Sequence, residues 1–597
     1  VSAAGREPEA GGAPGAGLES AAERSAGLVP RGGNAGEGVT TPRAPRARRL
    51  AELGLLAAVL GLALWTRWGW ASATEGPRFF PRPDALEYAA SAQAIAQTGE
   101  IFLQVGPYRV RPRYPPGWPM VLAAAIRLGV PGDRLWQVAG IFGAALAALL
   151  ALLAARAVQA LAPGGGGSAG FRAGRSADEG AGQSADQDPA RSADEGAGRS
   201  ADQDASRSAD QGGSRSADPH SAPNADRPAR SAAGWSAAAA AALAGGGWAL
   251  APLAVAQGQT VMSDEPATLA AVACLALTGS AWLRSRRYRE DGSRSETRGV
   301  DAGAARPIGW RARARGRGPC WPAAAGGFCF GLAAAMRPVA AALLAVPLVL
   351  LLAGGVLRTG ARAQLPRVTS WALGAAVFPA LTVLLLLRSG LPPLDWSGYR
   401  FWVPQRYARL ADTFQLRYAL HGNPAMPLGS DGRAIPHLAI AALVLGGVPT
   451  LPPHQVLGLW WPLAGWLAAP WLLRAARRRG GAAARVAPWL TVALAAWTLG
   501  YVAVFALYFF PAPRFYLGPA ALTLTLFAVA CGAALAAPRP SVRRLAATAA
   551  LAGAALLALA AADFRREPPA PAEDDDPRPA VARWLAQRDA QRAKRVM

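Results

Sequence analysis

Long apolar runs alternate with short polar breaks along most of this chain. Runs such as Leu53–Trp65, Val138–Leu153 and Leu494–Phe510, taken with their flanks, approach the ~20 residues a helix needs to cross a bilayer core. Apolar length predicts about eleven spanning helices, near 51–70, 135–160, 234–257, 266–283, 320–336, 338–355, 370–388, 455–475, 486–509, 515–536 and 545–562. The stretch 436–450 is apolar but short and bounded by Gly and Pro, which predicts a surface-lying or re-entrant helix. The expected fold class is an all-α polytopic membrane protein with amphipathic juxtamembrane helices in its first outer loop.

Composition agrees: 52% of the 597 residues are hydrophobic. The net charge of +24 would suit nucleic acid, but its placement argues against that partner. Arginines gather just beyond apolar runs: Arg46, Arg48 and Arg49; Arg284, Arg286, Arg287 and Arg289; Arg474 and Arg477 to Arg479; Arg543 and Arg544. This is the pattern of cytoplasmic loops in a polytopic protein. It predicts a cytoplasmic amino terminus and a carboxyl tail outside. The first apolar run follows some fifty polar residues and is expected to stay as an anchor. The four cysteines lack metal-ligand spacing and are expected to be packing residues.

The predicted organisation is a disordered cytoplasmic tail over 1–50, a membrane domain over 51–562 and an outer tail over 563–597. Within the domain, 163–233 repeats Arg/Gln-Ser-Ala-Asp every eight residues from Arg175. It has too little apolar surface to offset its chain entropy, so disorder on the cytoplasmic side is expected. A long outer loop is predicted over 389–454.

With this sidedness the unusual polar groups share the outer face. Asp84, Glu87 and Arg109 to Arg113 fall in the first outer loop, and Asp264 and Glu265 in a tight outer turn. Arg337 lies at the outer end of the fifth span, Tyr399, Arg400 and Trp402 in the long loop, and Arg514 and Tyr516 at the start of the tenth span. A mid-bilayer charge costs ~2.5–3.5 kcal/mol on insertion scales, so any one of these is readily a solvated interfacial residue. Acids, arginines and aromatics gathered opposite the basic anchors point to polar chemistry at one membrane face.

Asp84 follows Pro83 and opens a predicted short amphipathic helix, with Glu87 and Tyr88 about one turn on along the same side. Leu86, Ala90, Ile95 and Ile101 are expected to line its membrane side. Asp84 is either a helix-start cap or a general base taking a proton from an acceptor hydroxyl. Arg109, Arg111, Arg113, Arg337, Arg400 and Arg514 are candidates for a phosphate, although some of them must simply face lipid headgroups. An outer-face enzyme needs an activated donor delivered in the lipid, and a polyprenyl-phosphate sugar meets that need. Trp118, Trp396, Tyr399, Trp402 and Tyr407 are candidates for stacking on sugar or for an interfacial belt, the belt being the better reading for most; Tyr399 and Trp402 join Glu87, Tyr88 and Glu265 as substrate-contact candidates.

The order of motifs carries a resemblance. A first span is followed by Asp84-x-x-x-Tyr88, an Ala-rich helix ending at Gly99, Tyr-Pro-Pro-Gly-Trp-Pro at 114–119 and then Ser263-Asp264-Glu265-Pro266. Over about residues 50–560 this resembles the GT-C superfamily of integral-membrane glycosyltransferases, most closely the protein O-mannosyltransferase and aminoarabinose-transferase branch. The resemblance implies a GT-C-like bundle and an inverting transfer from a polyprenyl-phosphate sugar. It makes Asp84 the catalytic base, with Asp264 orienting the acceptor or holding the first loop, and Arg337 near the lipid phosphate. Ala85, Glu87 and the Arg113-Tyr114 pair depart from the family pattern, which puts lipid A specificity and any metal of that branch in doubt. No cofactor is indicated with certainty, and a divalent metal stays open although none of the four histidines forms a ligand pair. The acceptor is a lipid, glycan or protein hydroxyl. The alternatives are a multi-pass transporter or flippase, for which no inverted repeat is visible, and a membrane scaffold.

Overall fold

The computed structural model describes residues 44–72, 83–105, 108–161, 226–297, 320–392, 410–425, 434–445, 460–479, 481–510 and 512–566. The apolar segments named above fall on helices, and the architecture is an all-α membrane bundle. In chain order these are α1 (Ala44–Ser72), α2 (Pro83–Thr98), α3 (Gly117–Arg127), α4 (Leu135–Leu161), α5 (Asp226–Ala241), α6 (Gly247–Leu250), α7 (Pro252–Gly258) and α8 (Asp264–Thr297). They continue as α9 (Trp321–Met336), α10 (Pro338–Thr359), α11 (Ala361–Arg388), α12 (Leu410–Thr413), α13 (Leu416–His421), α14 (His437–Leu445), α15 (Trp460–Arg479), α16 (Gly481–Leu507), α17 (Leu517–Leu535) and α18 (Pro540–Arg566).

Among the described residues, seven helices are long and apolar enough to cross a membrane: those over Leu50–Gly69, Gly132–Leu161, Pro338–Leu357, Ala361–Arg388, Val486–Leu507, Pro513–Leu535 and Pro540–Leu559. An eighth candidate is the pair Ala233–Leu250 and Pro252–Gly258, bent by 59°. Pro252 sits at the break, and a π-helical turn over Ala242–Gly246 precedes it, both common causes of a kink. The predicted spans at 266–283, 320–336 and 455–475 coincide with α8, α9 and α15, which do not pass that combined test. Among the described residues, length and composition alone therefore support seven or eight of the eleven expected spans. The boundaries also shift: α1 begins at Ala44 and α5 at Asp226, inside the predicted tail and insert. The helix α14 has nine residues, too few to span a bilayer; the rest of 446–459 lies outside the described residues.

Burial separates central from peripheral helices. The most apolar window of α17 is 78% buried and that of α4 is 56% buried, against 11% for α11. A helix that is apolar all round and covered on few sides presents its surface to lipid. Small residues let neighbouring backbones approach. A Cβ at Gly327 of α9 would stand 1.9 Å from the Trp371 carbonyl oxygen of α11, and one at Gly374 of α11 would stand 2.1 Å from that of Ala324.

The loop after α1 is folded onto one end of this bundle. A short antiparallel hairpin, β1 (Leu103–Val105) and β2 (Tyr108–Val110), pairs Gln104 with Arg109 and was not expected from the sequence pattern. Arg127 of α3 donates to the Ile95 and Ala96 carbonyl oxygens at 2.9 and 3.2 Å, fixing the last turn of α2. Ile95 and Ile101 are buried with Trp118, Leu122, Met336 and Leu386. This corrects the expectation that both isoleucines face the membrane: α2 has protein on that side, while Leu86 and Ala90 are exposed. Trp118 is a core residue and not part of a belt, its indole N–H donating to the Val261 carbonyl oxygen at 3.4 Å.

The α9–α11 crossing yields a stability prediction. Gly327→Ala drives a methyl into backbone and should cost about 1–3 kcal/mol, whereas Gly54→Ala, in open space on α1, should be neutral or mildly stabilising. Unfolding midpoints of the two variants in detergent check this; equal midpoints contradict the crossing.

Candidate active site

Four breaks in the apolar pattern deliver charged side chains to the same end of the bundle. The first is the start of α2, where Pro83 opens the helix and Asp84 lies in its first turn. The second is the start of α8, which carries Asp264 and Glu265. The third is Arg337, the single residue between α9 and α10, held extended (φ −152°, ψ 93°) as expected for a residue preceding proline. A 3₁₀ turn over Pro513–Tyr516 leads into α17 and adds Arg514 and Phe515.

Asp84 is clamped from two sides. Arg113 Nη2 donates to its Oδ1 at 2.7 Å and Arg514 Nη2 to its Oδ2 at 2.8 Å. The Arg113 backbone N–H donates to Glu87 Oε1, and that of Tyr114 donates to the same oxygen at 3.1 Å. The Arg113 guanidinium also contacts the Tyr114 hydroxyl and stacks 4.3 Å from the Tyr114 ring centre. Tyr114 in turn lies against Tyr88, with ring centres 4.8 Å apart. Tyr88 shares a hydrogen bond of 3.0 Å with the Ser263 hydroxyl, one residue before Asp264. Asp264 Oδ1 accepts from Arg337 Nη1.

One aromatic ring joins the halves. The guanidinium carbons of Arg337 and Arg514 lie 5.2 and 5.7 Å from the centre of Phe515, within cation–π range. Asp84, Glu87, Tyr88, Arg113, Asp264, Arg337 and Arg514 thus form one connected cluster. Three acids meet three arginines in it, so it is close to neutral while rich in charge. The arginines keep some access, with 15% of the Arg514 side chain, 24% of Arg113 and 26% of Arg337 exposed.

Electrostatics divide the acids. Burial pushes the Asp84 carboxyl up, but Arg514, the Tyr114 hydroxyl and Arg113 outweigh it and hold Asp84 below its ordinary value. Glu87 goes the other way: burial raises it, and Arg113 and the two backbone N–H groups do not cancel that. Burial and the Asp84 carboxylate push Tyr114 far up, so its hydroxyl stays protonated.

Other expectations land elsewhere. Glu265 is 1% exposed and ion-paired to Arg67 at 2.7 Å, so its carboxylate does not face a substrate. One residue along a helix turns the side chain by about 100°, which points Glu265 away from Asp264. Arg109 is exposed and pairs with Glu100 at 3.1 Å, because the hairpin carries it outward. Arg111 is half-buried on the same segment as Arg113. Tyr399, Arg400, Trp402 and Tyr407 lie outside the described residues. Phe515 and Arg67 were missed; a lone arginine within the last turns of the first apolar run was the available signal for the latter. Among the described residues no group of three or more His, Cys, Asp or Glu side chains assembles that would hold a metal ion. Asp84 and Asp264 each already face a guanidinium.

No family profile matches the chain, and no curated protein matches it. Among solved structures, ArnT from Cupriavidus metallidurans bound to undecaprenyl phosphate is similar with a TM-score of 0.38 and 15% identity, over 81% of this chain and 60% of that one. The archaeal oligosaccharyltransferase AglB from Archaeoglobus fulgidus, in complex with an inhibitory peptide and a dolichol-phosphate, gives a TM-score of 0.41 and 13% identity, over 87% of this chain and 56% of that one. The chain therefore spans less than two thirds of the length of either.

Proposed function

We propose that the protein is a membrane-embedded glycosyltransferase that moves a sugar from a polyprenyl-phosphate donor to a hydroxyl of a lipid, glycan or protein acceptor. The observation that carries this reading is the acid–arginine cluster at one end of an apolar bundle, with Asp84 held between Arg113 and Arg514. Such an end meets lipid headgroups, and guanidinium pairs there suit a phosphate. The arginine clusters just beyond the apolar runs support an orientation with the cluster at the outer face and the amino terminus in the cytoplasm.

The acceptor oxygen attacks the anomeric carbon as the bond from that carbon to the phosphate oxygen breaks. The bonding pair leaves with the phosphate, whose growing charge falls to Arg113, Arg514 and Arg337. The acceptor proton goes to Asp84. Attack opposite the leaving phosphate inverts the anomeric centre. A phosphate entering the cluster also competes with Asp84 for its two guanidiniums. That competition returns to the carboxylate the basicity that the clamp withholds. Asp264 acts indirectly, by holding Arg337.

A transporter shares the bent pair around Pro252, since broken spans line many transport sites. The acids and arginines of the cluster do not come from that break, which favours the enzyme.

Asp84→Asn should lower kcat by about 10²–10⁴-fold with the melting temperature nearly kept, measured on purified protein with a labelled polyprenyl-phosphate sugar; undiminished turnover removes Asp84 as the base. Arg514→Gln should lower kcat/KM for the donor by about 10²-fold while leaving the choice of acceptor unchanged. An unaltered donor response removes Arg514 from phosphate binding.

Asp84 also predicts a pH response. Its folded value lies below the unfolded one, so the stability it supplies is present above the unfolded value, ~3.9, and is lost as pH falls through the lower folded value. Before donor binds, Asp84 remains ionised through mildly acidic pH. The acid limb of kcat/KM that it causes should therefore lie below pH ~4, and a limb near neutrality that vanishes in Asp84→Asn contradicts the clamp.

A further inference from the structure

The start of α8 is pinned by three consecutive residues that reach three different elements. Ser263 meets Tyr88 of α2, Asp264 meets Arg337 between α9 and α10, and Glu265 meets Arg67 of α1. The last of these is the most deeply buried ion pair described, with side chains 0% and 1% exposed, and the proposed reaction does not use it. Arg67 Nη1 also donates to the Ala63 carbonyl oxygen at 3.3 Å, and the neighbouring Thr66 hydroxyl donates to that of Ala249 at 2.9 Å. The arginine is thus tied to its own helix, and its neighbour Thr66 ties that helix to α6.

The surroundings are shaped to this pair. A Cβ at Gly143 of α4 would stand 2.2 Å from Glu265 Oε2 and 2.4 Å from Arg67 Nε, and one at Gly258 of α7 would stand 2.6 Å from Arg67 Nε. Two glycines on separate helices leave the space that both side chains fill. An apolar pair of similar volume often gives equal or better stability than a buried ion pair. What apolar packing does not give is a fixed direction, because a guanidinium–carboxylate contact defines the orientation of both groups.

We propose that Arg67, acting through Glu265, is a positioning residue: the buried pair sets the rotation of the first turn of α8 and so aims Asp264 at Arg337. Its relevance to catalysis rests on the glycosyltransferase reading. Its effect on the turn does not.

The test uses the full chain purified in lipid nanodiscs and the double variant Arg67→Met/Glu265→Met, which removes both charges and keeps the volume. Three quantities are measured: melting temperature, amide hydrogen exchange over residues 262–268, and kcat with a polyprenyl-phosphate sugar. The expected result is a variant melting within about 5 °C of the parent, with at least tenfold faster exchange in that turn and at least tenfold lower kcat. Parent-like exchange overturns the inference, and so does faster exchange with undiminished kcat. A purely structural role predicts that activity returns together with the melting temperature. Should the double variant fail to fold, Arg67→Lys decides: exchange in the turn at least threefold faster supports the proposal, and parent-like exchange overturns it. If the parent itself transfers no sugar from any donor offered, the glycosyltransferase reading fails while the exchange result still decides what the pair does.

Discussion

Charge pairing at the low-dielectric end of an apolar bundle is the interaction on which this site depends. An ionised carboxylate beside hydrocarbon costs several kcal/mol unless a partner meets it. Asp84 meets two guanidiniums, Asp264 meets one, and Glu265 meets one in full burial. Each pair also ties together parts of the chain far apart in sequence: 84 to 514, 264 to 337 and 67 to 265. Removing Arg337 or Arg67 would leave an uncompensated carboxylate, and removing Arg113 or Arg514 would leave Asp84 with a single partner. The electrostatics that make a reactive site affordable here are the same that hold the loops on the helix ends.

That coupling shapes how the site would work. At rest its arginines are engaged by its own acids, and on the proposed reading Asp84 is then a weak base. A ligand that wins the arginines must be anionic and able to accept several N–H groups, and a phosphate does both. Phe515 lies under two of the guanidiniums, so movement of Arg514 toward a phosphate would be felt at the pair formed by Arg337 and Asp264. On the proposed reading, binding of the donor and activation of Asp84 are two faces of one exchange of partners.

Much of this was legible in the sequence, for a physical reason. Polar breaks in long apolar runs are conspicuous, and Asp84, Asp264, Arg337 and Arg514 all occupy such breaks. Because spans alternate in direction, their sharing of one end could be inferred before any contact was known. The contacts themselves could not. Nothing local shows that Arg67 reaches across 198 residues to Glu265, or that Glu265 turns away from the site that its neighbour joins. The hairpin at 103–110 was hidden because three-residue strands leave no periodicity to read, and Ile95 and Ile101 misled because buried and lipid-facing isoleucines look alike in a sequence. Among the described residues fewer helices pass the length and composition test than the eleven expected spans, since α8 and α15 combine apolar stretches with charged ends and α9 has only 16 residues.

The most direct test of the account is the anomeric configuration of the product. NMR of the glycoside formed by purified protein from a polyprenyl-phosphate sugar of known configuration reads it without interpretation of rates. A single displacement with Asp84 taking the acceptor proton predicts complete inversion. Retention of configuration would require either an intermediate on the enzyme or attack from the face that the phosphate leaves, and would contradict an in-line displacement with Asp84 as its base.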